Sequence, residues 1–226
     1  MRDRAAFSIS CVGLLFDLDG VLVDSATCVE NTWRRWAQRH GLDADHVISV
    51  AHGRRTIETV QMLAPHLGAT DEAATLAASE SQTTDGVFEV PGARELLESL
   101  PRHRWAIVTS GIRAVATLRI RHTGLPMPDV LVSADEIERG KPHPEGYLTA
   151  ASRLGADPTS CVVIEDAPAG LAAAHAGGMR AIAIEGTYAA SALTQADHVV
   201  RRLSDLTIAY RADRDRIEIS GIDGGD

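Results

Sequence analysis

Acidic, hydroxyl and ammonium side chains gather at four sharply bounded places in this chain. Asp17 and Asp19 stand two residues apart in LLFDLDGVLVDS (14–25), Thr109-Ser110-Gly111 follows WAIV, Lys141 lies in Gly140-Lys141-Pro142, and Glu165-Asp166 follows CVVI. Neighbouring carboxylates raise the cost of ionising one another, so a cluster of them needs a cation. An oxygen-rich donor set with few imidazoles or thiols suits Mg²⁺. Such an ion would also offset negative charge and let a phosphate approach. Lys141 would then act as a second cation, with the Thr109 hydroxyl and nearby backbone N–H groups as donors. One aspartate would attack phosphorus and form an aspartyl-phosphate, and the other would act as general acid and base. The residue types leave open which does which, but phosphoryl transfer is the reaction they fit.

Strand-like runs must position these groups. Apolar or β-branched runs span Cys11 to Phe16, Trp105 to Val108, Val130 to Val132, Cys161 to Ile164, Ala181 to Ile184 and, weakly, His198 to Val200. Helical patterns at Ala93–Leu100, Arg113–His122, Pro144–Leu154 and Ala169–Ala176 fall between them. This alternation predicts an α/β fold, a Rossmann-like parallel sheet covered on both faces. Ligands bind beyond the carboxyl ends of such strands. Asp17 and Asp19, Thr109, Glu165 and Asp166 each end a run, and Lys141 follows the third, so all converge on one edge.

The gap between the first and second runs is too long for a single crossover and reads as helical. Val29, Trp33, Trp36 and His40 share a helical face, and Ile57–Leu67 and Glu72–Ser79 are further helical stretches. Residues 25–84 are therefore expected to form a helical cap, with 1–24 and 85–226 as the core. Asp24 or Ser25 is the expected N-cap, Trp33 and Trp36 the cap's own core, and the polar, glycine-ended stretch 211–226 a frayed tail.

The chain has 226 residues, 45% hydrophobic, and a net charge of −9. An acidic field disfavours nucleic acid or a lipid surface as partner. The three cysteines, Cys11, Cys28 and Cys161, show no paired or metal-ligand spacing. No signal-peptide segment stands in the first residues and nowhere do about 18 apolar residues run together. A cytoplasmic protein, monomeric or weakly dimeric, is expected. Rival motifs fail: an EF-hand loop from Asp17 would need its glutamate at Cys28, and a nucleophile elbow at Ser110 would need glycine at Val108. Neither a Walker loop nor a dinucleotide glycine fingerprint is present.

DLDGVLVDS (17–25), VTSG (108–111), GKPHPEGY (140–147) and VVIEDAPAGLAAAHAGG (162–178) resemble, in order and spacing, the four motifs of the haloacid dehalogenase-like phosphohydrolases. The insert resembles the small cap of the subgroup containing β-phosphoglucomutase and many sugar phosphatases. HGRRT (52–56), VPGA (90–93) and WAIVTSG (105–111) are similar to the glycerol-3-phosphatase and 2-deoxyglucose-6-phosphatase branch.

The resemblance implies that Asp17 is the nucleophile and a Mg²⁺ ligand. It makes Asp19 the general acid/base, whose backbone carbonyl also binds the ion. Asp166 becomes a metal ligand, with Glu165 beside it as ligand or supporting acid. Thr109 and the Ser110 N–H would hold the phosphoryl group, and Lys141 would neutralise it and orient Asp17. His52, Arg54 and Arg55, in the cap loop, are expected to contact substrate; Arg113 is read as opening a helix and His143 as structural. The implied activity is hydrolysis of a small sugar or polyol phosphate. A sugar-phosphate mutase is the nearest rival, and a non-catalytic binding module or a dehalogenase more distant ones.

Overall fold

A computed structural model describes residues 6–224 of the chain. In chain order the strands are β1 (Ala6–Cys11), β2 (Gly13–Phe16), β3 (Val23–Asp24), β4 (Phe88–Glu89), β5 (Trp105–Val108), β6 (Leu131–Val132), β7 (Cys161–Glu165), β8 (Arg180–Ile184), β9 (His198–Val200), β10 (Thr207–Arg211) and β11 (Arg216–Ile222). The helices are α1 (Ala26–His40), α2 (Ala44–Ala51), α3 (Thr56–Leu63), α4 (Ala69–Glu80), α5 (Ala93–Ser99), α6 (Arg113–Thr123), α7 (Glu145–Arg153) and α8 (Pro168–Ala176).

Six strands form the parallel sheet in the order β6-β5-β2-β7-β8-β9. The central strands β2, β5 and β7 are buried along their whole length, as continuous apolar runs in a doubly covered sheet require. Alternate residues serve opposite faces: Leu14, Phe16, Ile107 and Ile164 join one apolar cluster, while Leu15, Val108 and Val163 join the other. β2 and β7 are neighbours, so Asp17 and Glu165-Asp166 leave the sheet side by side.

The inserted helices α1 to α4 enclose their own apolar cluster around Trp33, Trp36, Val47, Val60 and Leu76. The indole N–H of Trp36 donates to Glu72 at 2.8 Å, so its polar tip is satisfied inside that core. α2 turns Val47 and Ala51, one helical turn apart, into that cluster, and it is started by Asp43, which accepts from the Asp45 and His46 N–H groups. The chain enters and leaves this helical segment through a two-residue ribbon, β3 against β4, pairing Val23 with Glu89. No helix among the described residues is long and apolar enough to cross a membrane.

Two expectations are corrected. The first run breaks at Val12: Gly13–Phe16 is β2 of the parallel sheet, while Cys11 ends the separate strand β1, which pairs antiparallel with β11. The stretch expected to fray from 211 instead supplies β11, the central strand of the β1-β11-β10 sheet. Ile217 and Ile219 explain the difference, since both point into the main core opposite Cys11 and Ile9 and are fully buried. Residues 225 and 226 lie outside the described residues.

Candidate active site

Four charged residues form the floor of the site at the carboxyl edge of the sheet. Asp17 continues the pairing of β2, its N–H donating to the Ile164 carbonyl at 3.0 Å. Lys141 Nζ donates to Asp17 Oδ1 and Glu165 Oε1, each at 2.7 Å, and to the Val108 carbonyl at 3.3 Å. Tyr147, from α7, donates its hydroxyl to the same Glu165 oxygen at 2.8 Å. Glu165 Oε2 accepts from the N–H groups of Asp166 and Ala167 at 2.9 and 3.0 Å. Both Glu165 oxygens are therefore engaged by the protein, and its first task here is to hold Lys141.

Close approach to α8 makes this possible. A Cβ on Gly170 would lie 1.6 Å from Glu165 Oε1, so only glycine admits the carboxylate beside the first turn. Gly20 does the same across the site. It has a φ of +87°, and a Cβ there would fall 1.9 Å from Asp166 Oδ2.

The charges strain one another. Burial pushes the Asp17 carboxyl up to about 7 against the pull of Lys141. Burial opposes the ammonium of Lys141, yet Asp17 and Glu165 hold it well above the usual lysine range. Asp166 is raised by burial and then by Glu165 and Asp17. Carboxylate oxygens of Asp17, Glu165 and Asp166 lie within 4.8 Å of one another, with Lys141 as the one cation touching them among the described residues. That oxygen-only, over-acidic donor set fits a hard divalent cation, which would relieve the strain on Asp166 most directly.

Asp19 lies outside this carboxylate group. Its Oδ1 accepts from Ser25 Oγ at 2.6 Å and from Arg119 Nη1 at 2.7 Å. Ser25 stands at the start of α1, but its hydroxyl is turned to Asp19; the Ala26 N–H is met instead by Asp24 at 3.2 Å. Thr109 extends β5, its N–H bonded to the Val132 carbonyl at 2.9 Å, and its hydroxyl accepts from the Gly111 N–H at 3.0 Å. The Ser110 side chain leaves the floor and donates to the Gly53 carbonyl at 2.9 Å.

That last bond belongs to a set that seats the helical insert on the core. Tyr188 donates to the Ser49 carbonyl at 3.3 Å, and the Gly140 N–H donates to Glu58 at 2.9 Å. Arg55 Nη1 donates to the Glu138 carbonyl at 2.7 Å. Between the two layers lies a cavity of about 560 Å³ that reaches from Asp17, Asp19, Thr109 and Asp166 to Glu30, His52 and Arg54.

Of the cap residues expected to contact substrate, His52 and Arg54 line this cavity and Arg55 does not. Arg55 ties the cap to the loop carrying Lys141 instead. Trp33 belongs to the cap cluster and also borders the cavity. Arg113 opens α6 and binds the Leu131 carbonyl and Glu136, away from the site.

Sequence reasoning passed over Arg119, Tyr147, Glu30 and Glu80. A signal existed for Arg119: Val115, Ala116, Ile120 and Thr123 surround it at helical spacing on the buried face of α6, and a lone charge on such a face needs a partner.

Similarities to known proteins agree with this geometry. Residues 12–178 match the model of the haloacid dehalogenase-like hydrolases. Hexitol phosphatase A of Escherichia coli is 41% identical over 216 residues, covering 92% of this chain and 98% of that protein. Glycerol-1-phosphate phosphohydrolase 2 of Saccharomyces cerevisiae is 35% identical, covering 93% and 90%. A hydrolase structure from Pseudomonas syringae superposes with a TM-score of 0.72 at 26% identity, covering 84% of this chain and 93% of that one. With the family model spanning most of the chain and its motifs meeting at one sheet edge, this protein belongs to the haloacid dehalogenase-like hydrolases.

Proposed function

We propose that this protein is a Mg²⁺-dependent phosphatase that hydrolyses a small sugar or polyol phosphate through an aspartyl-phosphate on Asp17. The observation that carries the reading is the buried grouping of Asp17, Lys141, Glu165 and Asp166 beside Asp19 and under a seated cap. Relatives named for hexitol and glycerol phosphates support the substrate class.

Asp17 attacks phosphorus while Lys141, held by Glu165, orients its carboxylate and neutralises charge on the phosphoryl oxygens. Thr109 and the Ser110 N–H, which has no backbone partner among the described residues, bind the transferring group. Asp19 gives a proton to the departing alkoxide, then takes one from the water that cleaves the aspartyl-phosphate. Asp17, Asp166 and the Asp19 backbone carbonyl would hold Mg²⁺, which supplies positive charge against the phosphoryl oxygens when bound. The cap excludes bulk water and selects the group that carries the phosphate. The buried free cysteines suit a reducing compartment, so we place the enzyme in the cytoplasm.

Phosphate release with Mg²⁺ across a panel of hexitol, glycerol, sugar and nucleoside monophosphates tests this. Release matching substrate loss for a polyol or sugar phosphate is expected. Isomerised sugar phosphate without phosphate release would establish a mutase, and no Mg²⁺-dependent turnover on any compound would overturn both.

A further inference from the structure

Arg119 is a charged side chain without an assigned task at the base of the cap. It projects from the buried face of α6 and is only 4% exposed. Nη1 donates to Asp19 Oδ1 at 2.7 Å, whereas Nη2 has no hydrogen-bond partner and faces Glu80 Oε2 at 3.8 Å, at the last residue of α4. Burying a guanidinium with an unmade bond is costly, and it is tolerated where the group does something else.

Asp19 receives two donors on one oxygen. Ser25, where the chain enters the cap, and Arg119, from the core, both hold Oδ1. Oδ2 has no hydrogen-bond partner among the described residues, and Asp19 lines the cavity. One carboxylate oxygen is thus clamped and the other is left for proton transfer.

We propose that Arg119 is a positioning residue for Asp19, fixing its carboxylate so that Oδ2 exchanges the proton, with Glu80 linking that arrangement to the cap. The proposal rests on the phosphatase reading above. In the step it serves, the Asp17–phosphorus bond forms, the phosphorus–oxygen bond to the polyol breaks, and the Asp19 proton passes to that oxygen. Misaligning Asp19 therefore harms substrates whose leaving group needs a proton. A phenolate that departs without one is spared in this first step.

First-turnover rates of the full-length Mg²⁺-loaded enzyme test this with glucitol 6-phosphate and p-nitrophenyl phosphate. Arg119→Met should slow the glucitol substrate about 10²-fold. The nitrophenolate burst should stay within about threefold of wild type, and KM for glucitol 6-phosphate should barely move. Arg119→Lys should recover about tenfold by restoring a donor. In an Asp19→Asn background, Arg119→Met should add almost nothing, because both changes remove one function.

Equal slowing of the two substrates, or an additive loss in the double variant, would show mere structural support and overturn the proposal. Should Arg119→Met fail to fold, Glu80→Gln and Arg119→Lys carry the same comparison; wild-type rates on both substrates in both variants would overturn it. A wild-type enzyme inactive on both compounds and on the whole panel would overturn the phosphatase reading and this proposal together.

Discussion

On the core side of the cavity, Asp17, Lys141, Glu165 and Asp166 are each 5% exposed or less, and Lys141 is bonded to two of the other three. On the cap side, Glu30, His52 and Arg54 are half-buried and make no side-chain hydrogen bond among the described residues, and the His52 ring lies T-shaped to Tyr188 with ring centroids 6.3 Å apart. The first wall is organised before substrate arrives, so little reorganisation remains during reaction. The second keeps its polar atoms uncommitted. On the function proposed above, chemistry belongs to the side whose bonds are already made, and selection to the side whose bonds await a ligand.

Asp17→Asn attacks the organised wall hardest. It should lower kcat roughly 10⁵-fold or more, as loss of a nucleophile does. A melting temperature close to wild type would separate that loss from unfolding, and near-normal turnover would break the assignment. Chelation with EDTA comes next. It should reduce phosphate release to background, and added Mg²⁺ should restore it, since the carboxylates otherwise face one another with too little positive charge.

Gly170→Ala should destabilise by about 1–3 kcal/mol through overpacking, because the new Cβ would meet Glu165 at 1.6 Å. A fall in both melting temperature and kcat is expected, since Glu165 holds Lys141. The cap wall should respond differently. Glu30→Ala should raise KM for a polyol phosphate about tenfold, with kcat little changed, as loss of a substrate hydrogen bond predicts. A kcat collapse there would erase the distinction between the walls.

The smallest effect is one of pH. Burial lowers the proton affinity of His52 although Glu30 pulls the other way. Between its lowered folded value and an unfolded value of about 6.5, the unfolded chain holds the proton and the folded one does not. Stability should therefore be complete above that range and decline as pH falls through it. His52→Gln should flatten the slope of melting temperature between pH 5.5 and 7.5.

Much of the core was legible because its signals are local. The runs ending at Phe16, Val108 and Ile164 became β2, β5 and β7, and strand polarity alone placed Asp17, Thr109 and Asp166 on one edge. Other parts were obscured by contacts distant in sequence. Ile217 and Ile219 look weak in a polar tail until Cys11 and Ile9 lie opposite them. Arg55 reads like Arg54 beside it, yet the Glu138 carbonyl draws it out of the cavity.

The sequence by itself determined the carboxylates, the lysine and the strand ends that carry them, because each is encoded within a few residues of an apolar run. Only the tertiary structure decided how those groups share their bonds. Glu165 is committed to Lys141 and Tyr147, and Asp19 to Ser25 and Arg119, because hydrogen bonding depends on distances across 6, 18, 24 and 100 residues that only folding closes.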